Sequence, residues 1–187
     1  MSFIRFITEF VIPSFVKIEN IVCSGSFNQE LNLSDLARAC LIDYDPEMYH
    51  GGYIKTNGHL VTLYRTGKYI MPGMKSLDDI QKTFGSVKEI LSDSLDVSKF
   101  DEPAIRNLVC SSYAGYALDL SRVFVELLNL DYDVSYEPES FPGLILKTDE
   151  CTYNVFASGK FLVLGCKEIA VAEECEKRFL SLLNSKM

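Results

Sequence analysis

An internal repeat covers most of this chain. Two pairs of segments carry it: YDPEMYHGGYIK at 44–55 reappears as YEPESFPGLILK at 136–147, and LYRTGK at 63–68 reappears as VFASGK at 155–160. Matched residues stand at a constant offset of 92, as residue 44 does with residue 136. A duplication of this length predicts two similar halves related by a pseudo-twofold axis. Such a protein can match a partner that is itself nearly twofold symmetric.

The beginnings of the two halves match at a different offset. Two further pairs of segments stand 87 residues apart: KIENIVCS at 17–24 with AIRNLVCS at 104–111, and LNLS at 31–34 with LDLS at 118–121. The second half therefore has five additional residues between Ser121 and Tyr136. A length change between two matched segments predicts a loop insertion or a lengthened helix end.

Each half has the pattern of a short helix followed by an antiparallel meander. Ser34 and Ser121 are favourable N-caps for the two helices. Four strands are predicted in the first half, where β-branched and aromatic residues alternate with polar ones: around 41–45, 51–56, 59–65 and 68–73. Gly67 and Gly159 each stand between two such runs, where glycine supplies the positive φ of a tight hairpin.

A long amphipathic helix closes each half. Ser76 followed by Asp79 resembles a capping box at the start of the first helix. Apolar residues recur at helical spacing in both helices: Leu77, Ile80, Phe84, Val87, Ile90 and Leu91 in the first, and Ile169, Ala172, Cys175, Phe179, Leu182 and Leu183 in the second. Helices that follow an antiparallel sheet usually cover one face of it, so function is expected on the other face.

The repeat predicts one core domain over 17–187. Repeat one covers 17–93, a polar junction that contains a proline covers 94–103, and repeat two covers 104–187.

An apolar N-terminal extension over 1–16 precedes this core. Arg5, Glu9 and Pro13 interrupt it, so it has the pattern of neither a secretory signal nor a membrane span. We interpret it as a helix or strand packed on the domain, with a docking segment for a partner protein as the alternative. No membrane association is predicted, and the protein is expected to be intracellular.

Charge and cysteine content narrow the function classes. A net charge of −8 and a pI near 4.8 argue against non-specific binding of polyanions. Binding to duplex DNA, a nearly twofold partner, then requires that basic and acidic residues be segregated. Six cysteines without a Cys-x-x-Cys pair, and two histidines, argue against a zinc site and favour buried free thiols. We predict no metal, no cofactor and, in the absence of a catalytic motif, no enzyme.

The repeated motifs resemble those of the TATA-box-binding protein family. The likeness covers roughly 17–184 and rests on YEPESFPGLI at 136–145, FASGK at 156–160, and Asn-(Ile/Leu)-Val at 20–22 and 107–109. A single motif of this kind would be weak evidence, whereas an ordered series found twice is specific. The resemblance implies an α+β saddle, in which two pseudo-symmetric repeats form a curved ten-stranded antiparallel sheet. Helices would cover its convex face, and its concave face would rest on the minor groove of DNA.

The resemblance also implies which side chains meet the bases. Four aromatic wedges are expected to enter the base steps at the two ends of the site: Tyr49, Tyr64, Phe141 and Phe156. Partial unstacking costs a few kcal/mol per step and is offset by bending the duplex onto a larger protein surface. Minor-groove contacts are expected from the residues at the centre and floor of the saddle: Asn20, Val22, Ile70, Asn107, Val109 and Leu162. Asparagine amides can donate to adenine N3 and thymine O2, while the guanine amino group would clash.

Charged residues complete the site that the resemblance implies. Phosphate contacts are expected from residues along the rim: Lys55, Lys68, Lys75, Lys147, Ser158, Lys160 and Lys167. Glu137 and Glu139 match acidic residues by which the family engages a IIB-type transcription factor. Acidic residues elsewhere concentrate in the helical segments, which provides the segregation that the net charge requires.

Several residues depart from the family pattern. Tyrosine stands for phenylalanine at 49 and 64, Pro72 and Leu164 replace threonines, and Thr62 and Asn154 replace leucines. Because proline has no N–H to donate, its strand is predicted to end near it or to lie at an edge.

The function implied is that of a general transcription initiation factor. It would bind and bend A/T-rich promoter DNA and recruit a IIB-type factor and the RNA polymerase machinery. It would act in the nucleus of a eukaryote, or in the cytoplasm or nucleoid of an archaeon. One alternative is a TATA-box-binding-protein-like interaction module that has lost strict TATA binding. Another is the related accessory domain of some nucleic-acid enzymes, which the two complete halves and the missing catalytic motif disfavour.

Overall fold

The computed structural model describes residues 16–39 and 41–186. The first half contains, in order, β1 (Lys17–Ser26), α1 (Leu33–Arg38), β2 (Gly51–Thr56), β3 (His59–Tyr64), β4 (Lys68–Met74) and α2 (Leu77–Leu91). A 3-10 turn at Val97–Lys99 leads to β5 (Ala104–Tyr113), α3 (Leu120–Asn129), β6 (Asp133–Ser135), β7 (Leu144–Lys147), β8 (Thr152–Val155), β9 (Lys160–Cys166) and α4 (Ile169–Lys186). The apolar extension predicted over 1–16 lies outside the described residues, apart from Val16, which packs against the core.

In the described part of the chain, nine strands form one antiparallel sheet in the order β2-β3-β4-β1-β5-β9-β8-β7-β6. The two halves meet at its centre, where β1 pairs with β5 through Ile21 and Leu108. Each half adds its meander outside its own first strand, so the order of strands in one half mirrors that in the other. The predicted α+β fold, an open antiparallel sheet made of two like halves, is confirmed.

The predicted sheet of ten strands is one strand too long for the described residues. In the second half, Ser135 pairs with Ile145 within the ladder of β6 and β7. At the matched offset, Asp43 and Tyr53 form an isolated bridge with two backbone hydrogen bonds of 2.8 Å. The first half therefore keeps one residue pair of this outermost ladder, and the strand predicted at 41–45 is reduced to that bridge.

The two short helices begin earlier than predicted. Asn32 caps α1 and Asp119 caps α3, each accepting a hydrogen bond from backbone N–H groups of its first turn. Asn and Asp serve at this position as well as Ser does. The predicted caps, Ser34 and Ser121, lie inside the first turn instead. Since α3 has 10 residues and α1 has 6, the additional residues of the second half lengthen a helix end.

Both long helices pack on the same face of the sheet. Helix α2 contacts β2 and β4, and α4 contacts β5 and β9. Ile80, Phe84 and Val87 of α2 are buried, as the apolar stripe predicts, but Leu77 at its first position is 52% exposed. In α4 the buried apolar residues belong to the predicted stripe: Ala172, Cys175, Phe179 and Leu183. Glu176 of the same helix is buried as well. Within residues 16–39 and 41–186, none of the helices has the length and apolar character that a membrane crossing requires.

Pro72 lies two residues before the end of β4, so the strand ends near it as predicted, although β4 is not an edge strand. Strand β4 continues past it and lies between β3 and β1. The register of β3 with β4 stops at the pair Thr62 and Ile70, whereas the matching register of β8 with β9 continues to Thr152 and Leu164. Because proline lacks the N–H that a ladder needs, the first half loses ladder pairing with β3 while β4 stays paired with β1.

Candidate nucleic-acid interface

The sheet exposes the face opposite its helices, which we call the open face. At its centre Asn20 pairs with Val109 across β1 and β5, and Val22 pairs with Asn107. All four residues are half-buried, whereas the intervening Ile21 is fully buried on the helical side. Alternation along each strand thus separates a core face from a face that can receive a partner.

One of the central asparagines is oriented by a β-bulge. The Asn20 Oδ1 accepts a hydrogen bond of 3.0 Å from the backbone N–H of Gly73. Gly73 has φ of +86° and lies where β4 shifts register against β1, a conformation that favours glycine. With its oxygen so engaged, Asn20 offers its amide N–H groups to a partner. Donors of this kind suit the acceptors that A·T pairs present in the minor groove.

The four predicted wedges come together as two pairs of nearly equal geometry. The Tyr49 and Tyr64 rings have centroids 6.5 Å apart and planes at 64°. The Phe141 and Phe156 rings have centroids 5.9 Å apart and planes at 63°. Each pair joins a loop residue that precedes β2 or β7 with a residue at the end of β3 or just after β8.

A glycine seats each aromatic pair. A Cβ built on Gly143 would lie 2.8 Å from Phe141 Cε1 and 3.1 Å from Phe156 Cε1. A Cβ on Gly51, at the matched position, would lie 2.8 Å from Tyr49 Cε1. Both distances of 2.8 Å are shorter than van der Waals contact, so the missing side chains let the rings pack down onto the strand. This shared seat explains why the geometry is alike in both halves.

The chemistry of the two pairs differs. The Tyr49 and Tyr64 hydroxyls are hydrogen-bonded at 3.0 Å. This bond is the main cause that raises the pKa of Tyr64 to about 12, with burial second. The Tyr49 ring also contacts the imidazole of His50, with centroids 4.3 Å apart. The first pair therefore places polar groups at its end of the open face, whereas the second pair is purely hydrocarbon at the other end.

The apolar floor residues occupy matched places between the centre and the aromatic pairs. Ile70 on β4 and Leu162 on β9 are both half-buried. Their cross-strand neighbours are also matched: Ser24 and Thr62 beside Ile70, and Ser111 and Asn154 beside Leu162. The structure thus brings the predicted minor-groove residues onto one continuous surface.

The predicted phosphate-contact residues are all exposed at the surface: Lys55, Lys68, Lys75, Lys147, Ser158, Lys160 and Lys167. Two of the lysines have partners within the protein. Lys55 Nζ lies 3.6 Å from Asp43 Oδ2, and Lys75 Nζ donates to the carbonyl oxygen of Glu19. An exposed ion pair of this kind contributes little to stability, so Lys55 can exchange Asp43 for a phosphate at small cost.

Two charged residues at the centre of the open face were not among the predicted site residues. Arg106 Nε donates to Ser24 Oγ at 2.9 Å, and Glu19 Oε1 accepts from Ser111 Oγ at 2.7 Å. The Ser111 hydrogen bond lowers the pKa of Glu19, with Lys17 adding to the effect, so the carboxylate is ionised at neutral pH. Glu19 matches Arg106 at the offset of 87, so a mismatch within the repeat is the signal that could have found both.

The acidic loop before β7 adjoins the second aromatic pair. Glu137 and Glu139 are exposed, and the Phe141 N–H donates to the Glu137 carbonyl at 2.9 Å. A partner that binds these carboxylates would therefore contact the turn that holds a wedge. The structure confirms their exposure and leaves their partner as a prediction.

Duplication, an open antiparallel sheet and matched aromatic pairs define the class of this molecule. It is a two-repeat protein whose open face, rather than a pocket, forms the candidate site. The two halves place equivalent side chains at equivalent distances from the central strands. Such a surface suits an elongated partner with near-twofold symmetry.

Known proteins identify the family within this class. The family described as transcription factor TFIID (or TATA-binding protein, TBP) matches residues 15–94 and 102–186. TATA-box-binding protein C of Halobacterium salinarum is 34% identical over 177 residues, which cover 89% of this chain and 96% of that protein. The TATA-box-binding protein of Haloarcula marismortui is 36% identical over 166 residues, which cover 85% of this chain and 88% of that protein.

A solved structure agrees with these sequences. Methanococcus jannaschii TBP superimposes with a TM-score of 0.75 at 26% identity, covering 89% of this chain and 96% of that one. The chain belongs to the TATA-binding protein family of transcription factors.

Proposed function

We propose that this protein is a transcription initiation factor that binds A/T-rich promoter DNA through the minor groove and bends it. The observation that carries the proposal is the pair of T-shaped aromatic contacts at the two ends of the open face, at 6.5 Å and 5.9 Å. Family membership supports a role in transcription. No step of this role requires catalysis.

The proposed mechanism follows from the layout of the open face. The aromatic pairs unstack one base step at each end, and the duplex bends onto the floor formed by Ile70 and Leu162. Pyrimidine–purine steps such as T·A deform most easily, so the deformation itself selects sequence. Asn20 and Asn107 donate to base acceptors at the centre, where a guanine amino group would have no room. The exposed lysines at the rim meet phosphates and add the salt-dependent part of the affinity.

Recruitment of a IIB-type factor, and through it of RNA polymerase, is the second part of the proposal. The support is the exposed carboxylate pair of Glu137 and Glu139 beside the second aromatic pair, at the positions where the family resemblance places the contact with such a factor. At the matched positions the first half has Asp45 and Glu47, which are also exposed, and the Tyr49 N–H donates to the Asp45 carbonyl as the Phe141 N–H does to that of Glu137. Reversal of charge in E137K/E139K should abolish the ternary complex with such a factor and leave binary DNA binding intact.

Fluorescence anisotropy with three duplexes tests the DNA proposal: a TATA sequence, the same site with G·C pairs, and the same site with inosine·cytosine pairs. Inosine lacks the exocyclic amino group, so an inosine duplex has the minor groove of A·T with the major groove of G·C. We expect the TATA and inosine duplexes to bind, and each G·C pair to cost about 1–3 kcal/mol.

Failure to bind any of the three at low salt would contradict the proposal. It would favour the alternative function, a protein-interaction module whose open face holds a protein. The Tyr49 and Tyr64 hydroxyls and the Glu19 carboxylate, which make the open face more polar, are the observations on which that alternative rests.

A further inference from the structure

Three cysteine thiols converge in the second half, on the helical side of the sheet. Cys151 lies just before β8, Cys166 ends β9, and Cys175 lies in α4. Their Sγ atoms are all within 4.8 Å of one another, and all three side chains are buried. They lie in three separate parts of the chain, so the sequence contains no Cys-x-x-Cys spacing that would predict the cluster.

The sulfur positions are close to those that a metal ion requires. Zinc–sulfur bonds of about 2.3 Å in a tetrahedral site place sulfur atoms about 3.8 Å apart. The cluster therefore has to contract by about 1 Å or less, which small changes in the cysteine χ1 angles can provide. Buried thiols of this kind ordinarily fill space as small hydrophobes. Three of them with Sγ atoms within 4.8 Å of one another have the spacing of a ligand set.

We propose that Cys151, Cys166 and Cys175 bind a zinc ion as thiolates, with an oxygen in the fourth position. Tyr153 is the candidate for that position. Its hydroxyl lies against the Cys151 and Cys175 thiols and donates to the Cys175 carbonyl at 3.0 Å. Structural zinc sites are almost always tetrahedral, so a fourth donor beside three sulfur atoms favours zinc.

Charge distinguishes zinc from copper(I), the other soft ion that thiolates select. Three thiolates leave a net charge of −1 around a divalent ion and −2 around a monovalent one. The site is buried, and the carboxylate of Glu176 lies one residue from Cys175 and is itself buried. A low-dielectric site next to an acidic residue disfavours the more negative complex.

The first half provides an internal comparison. At the offset of 92, the residues that match the three cysteines are His59, Met74 and Thr83. His59 is hydrogen-bonded to Asp79 at 2.9 Å, and the buried Thr83 hydroxyl has no hydrogen-bond partner in the described part of the chain. The fold therefore accepts side chains other than cysteine at these three matched positions. Cysteine occupies all three positions in the second half and none of them in the first.

Binding would be linked to proton release. Burial raises the pKa of the Cys151 thiol to about 12 and that of Cys166 to about 11. Because zinc binds cysteine as the thiolate, binding releases the thiol protons, so the affinity should rise with pH. Because the cluster lies under α4, the ion would fasten this helix to the sheet without reaching the open face.

The test is a competition titration of the full-length, reduced protein with zinc against a chromophoric chelator, with copper(I) in a parallel experiment. We expect one zinc ion per chain. C151S, C166S and C175S should each weaken binding by more than the roughly 10–100-fold that loss of an outer partner of a metal ligand costs. C23S is the matched control, because Cys23 is also fully buried in a strand but lies outside the cluster, and it should bind zinc like the parent.

X-ray absorption of the zinc-loaded parent protein keeps the proposal testable if the variants do not fold. Three sulfur neighbours and one oxygen are expected. Absence of stoichiometric zinc binding, fewer than three sulfur neighbours, or binding of copper(I) in place of zinc would overturn the assignment. These outcomes do not depend on whether the protein binds DNA.

Discussion

The two aromatic pairs have the same geometry and different chemistry. Phe141 and Phe156 meet edge to face as hydrocarbon rings, whereas Tyr49 and Tyr64 meet at a similar angle with their hydroxyls hydrogen-bonded. The glycine beneath each pair preserves its shape, so the rings could change in polarity without moving. A wedge that carries hydroxyl groups has to keep them bonded or wet when it enters a base step. On the proposed function, we therefore expect the second half to provide the more effective wedge.

The centre of the open face differs between halves in charge. Ser24 and Ser111 are matched, but Ser24 is bonded to the Arg106 guanidinium and Ser111 to the Glu19 carboxylate. A strictly twofold-symmetric saddle would bind even an asymmetric site equally well in both directions. A cation on one side of the axis and an anion on the other give the two directions different energies along an asymmetric site.

The largest expected effect comes from removing the hydrocarbon pair. F141A/F156A should weaken binding to the TATA duplex by about 2–6 kcal/mol, since stacking of an aromatic side chain on a base contributes about 1–3 kcal/mol per ring. Y49A/Y64A should weaken it less. Anisotropy titrations of the two double variants compare the halves directly.

F124A is the control for those variants. Phe124 on α3 is half-buried and contacts Tyr136, away from the open face. It should lower stability and leave DNA affinity unchanged. Equal losses of affinity from the two aromatic double variants would contradict the expected difference between the two aromatic pairs.

Smaller effects are expected from the central charges. E19Q should raise DNA affinity, because it removes a negative charge from the face that is proposed to bind a polyanion. R106Q should lower it and reduce the slope of log affinity against log salt by about 0.9 if Arg106 meets one phosphate. On a duplex labelled at one end, the double variant E19Q/R106Q should show a weaker preference for one binding orientation than the parent protein. If the orientation preference is unchanged in both variants, Glu19 and Arg106 do not determine it.

Replacement of Tyr49 by phenylalanine tests the hydrogen bond that distinguishes the first aromatic pair from the second. Y49F removes the hydrogen bond to Tyr64, so the pKa of Tyr64 should fall from about 12 toward its usual value near 10, as an alkaline spectrophotometric titration can measure. Stabilisation by the neutral tyrosine pair is fully present below about pH 10 and is lost as pH rises toward 12.

Exchange in both directions tests the same difference on DNA. Y49F/Y64F should bend DNA more fully than the parent, and F141Y/F156Y less. If neither double variant changes the bend angle of the DNA, the tyrosine hydroxyls do not affect bending.

The smallest effect concerns stability. Thr83 in α2 is fully buried and its Oγ1 has no hydrogen-bond partner among the described residues. T83V keeps the shape and removes the unpaired hydroxyl, so urea unfolding should show a gain of about 1 kcal/mol. T148V in the second half is the contrast, because Thr148 Oγ1 donates to the Cys151 carbonyl at 2.9 Å and its loss should destabilise.

Much of the open face could be predicted because the repeat supplied a consistency check. A lone Tyr64 or Phe156 in a strand would be read as ordinary packing, but equal placement in two copies predicts equal roles. The same argument predicted the insertion in the second half, which appears as the longer α3.

Features that depend on pairing across strands were not predictable. The outermost strand of the first half depends on how many residues pair with the free edge of β2, and among the described residues Asp43 alone does so, with Tyr53. Pro72 is tolerated inside the sheet because pairing is lost toward β3 and kept toward β1. The cysteine cluster and the serine partners of Glu19 and Arg106 join elements far apart in the sequence, where local spacing carries no signal.

Fluorescence transfer on a duplex labelled at both ends tests whether the open face bends A/T-rich DNA by wedging the two ends of the site. The account predicts that the parent protein shortens the end-to-end distance of a TATA duplex, and that F141A/F156A binds at high concentration with much less shortening. Binding of the TATA duplex by the parent with no change in end-to-end distance would contradict it.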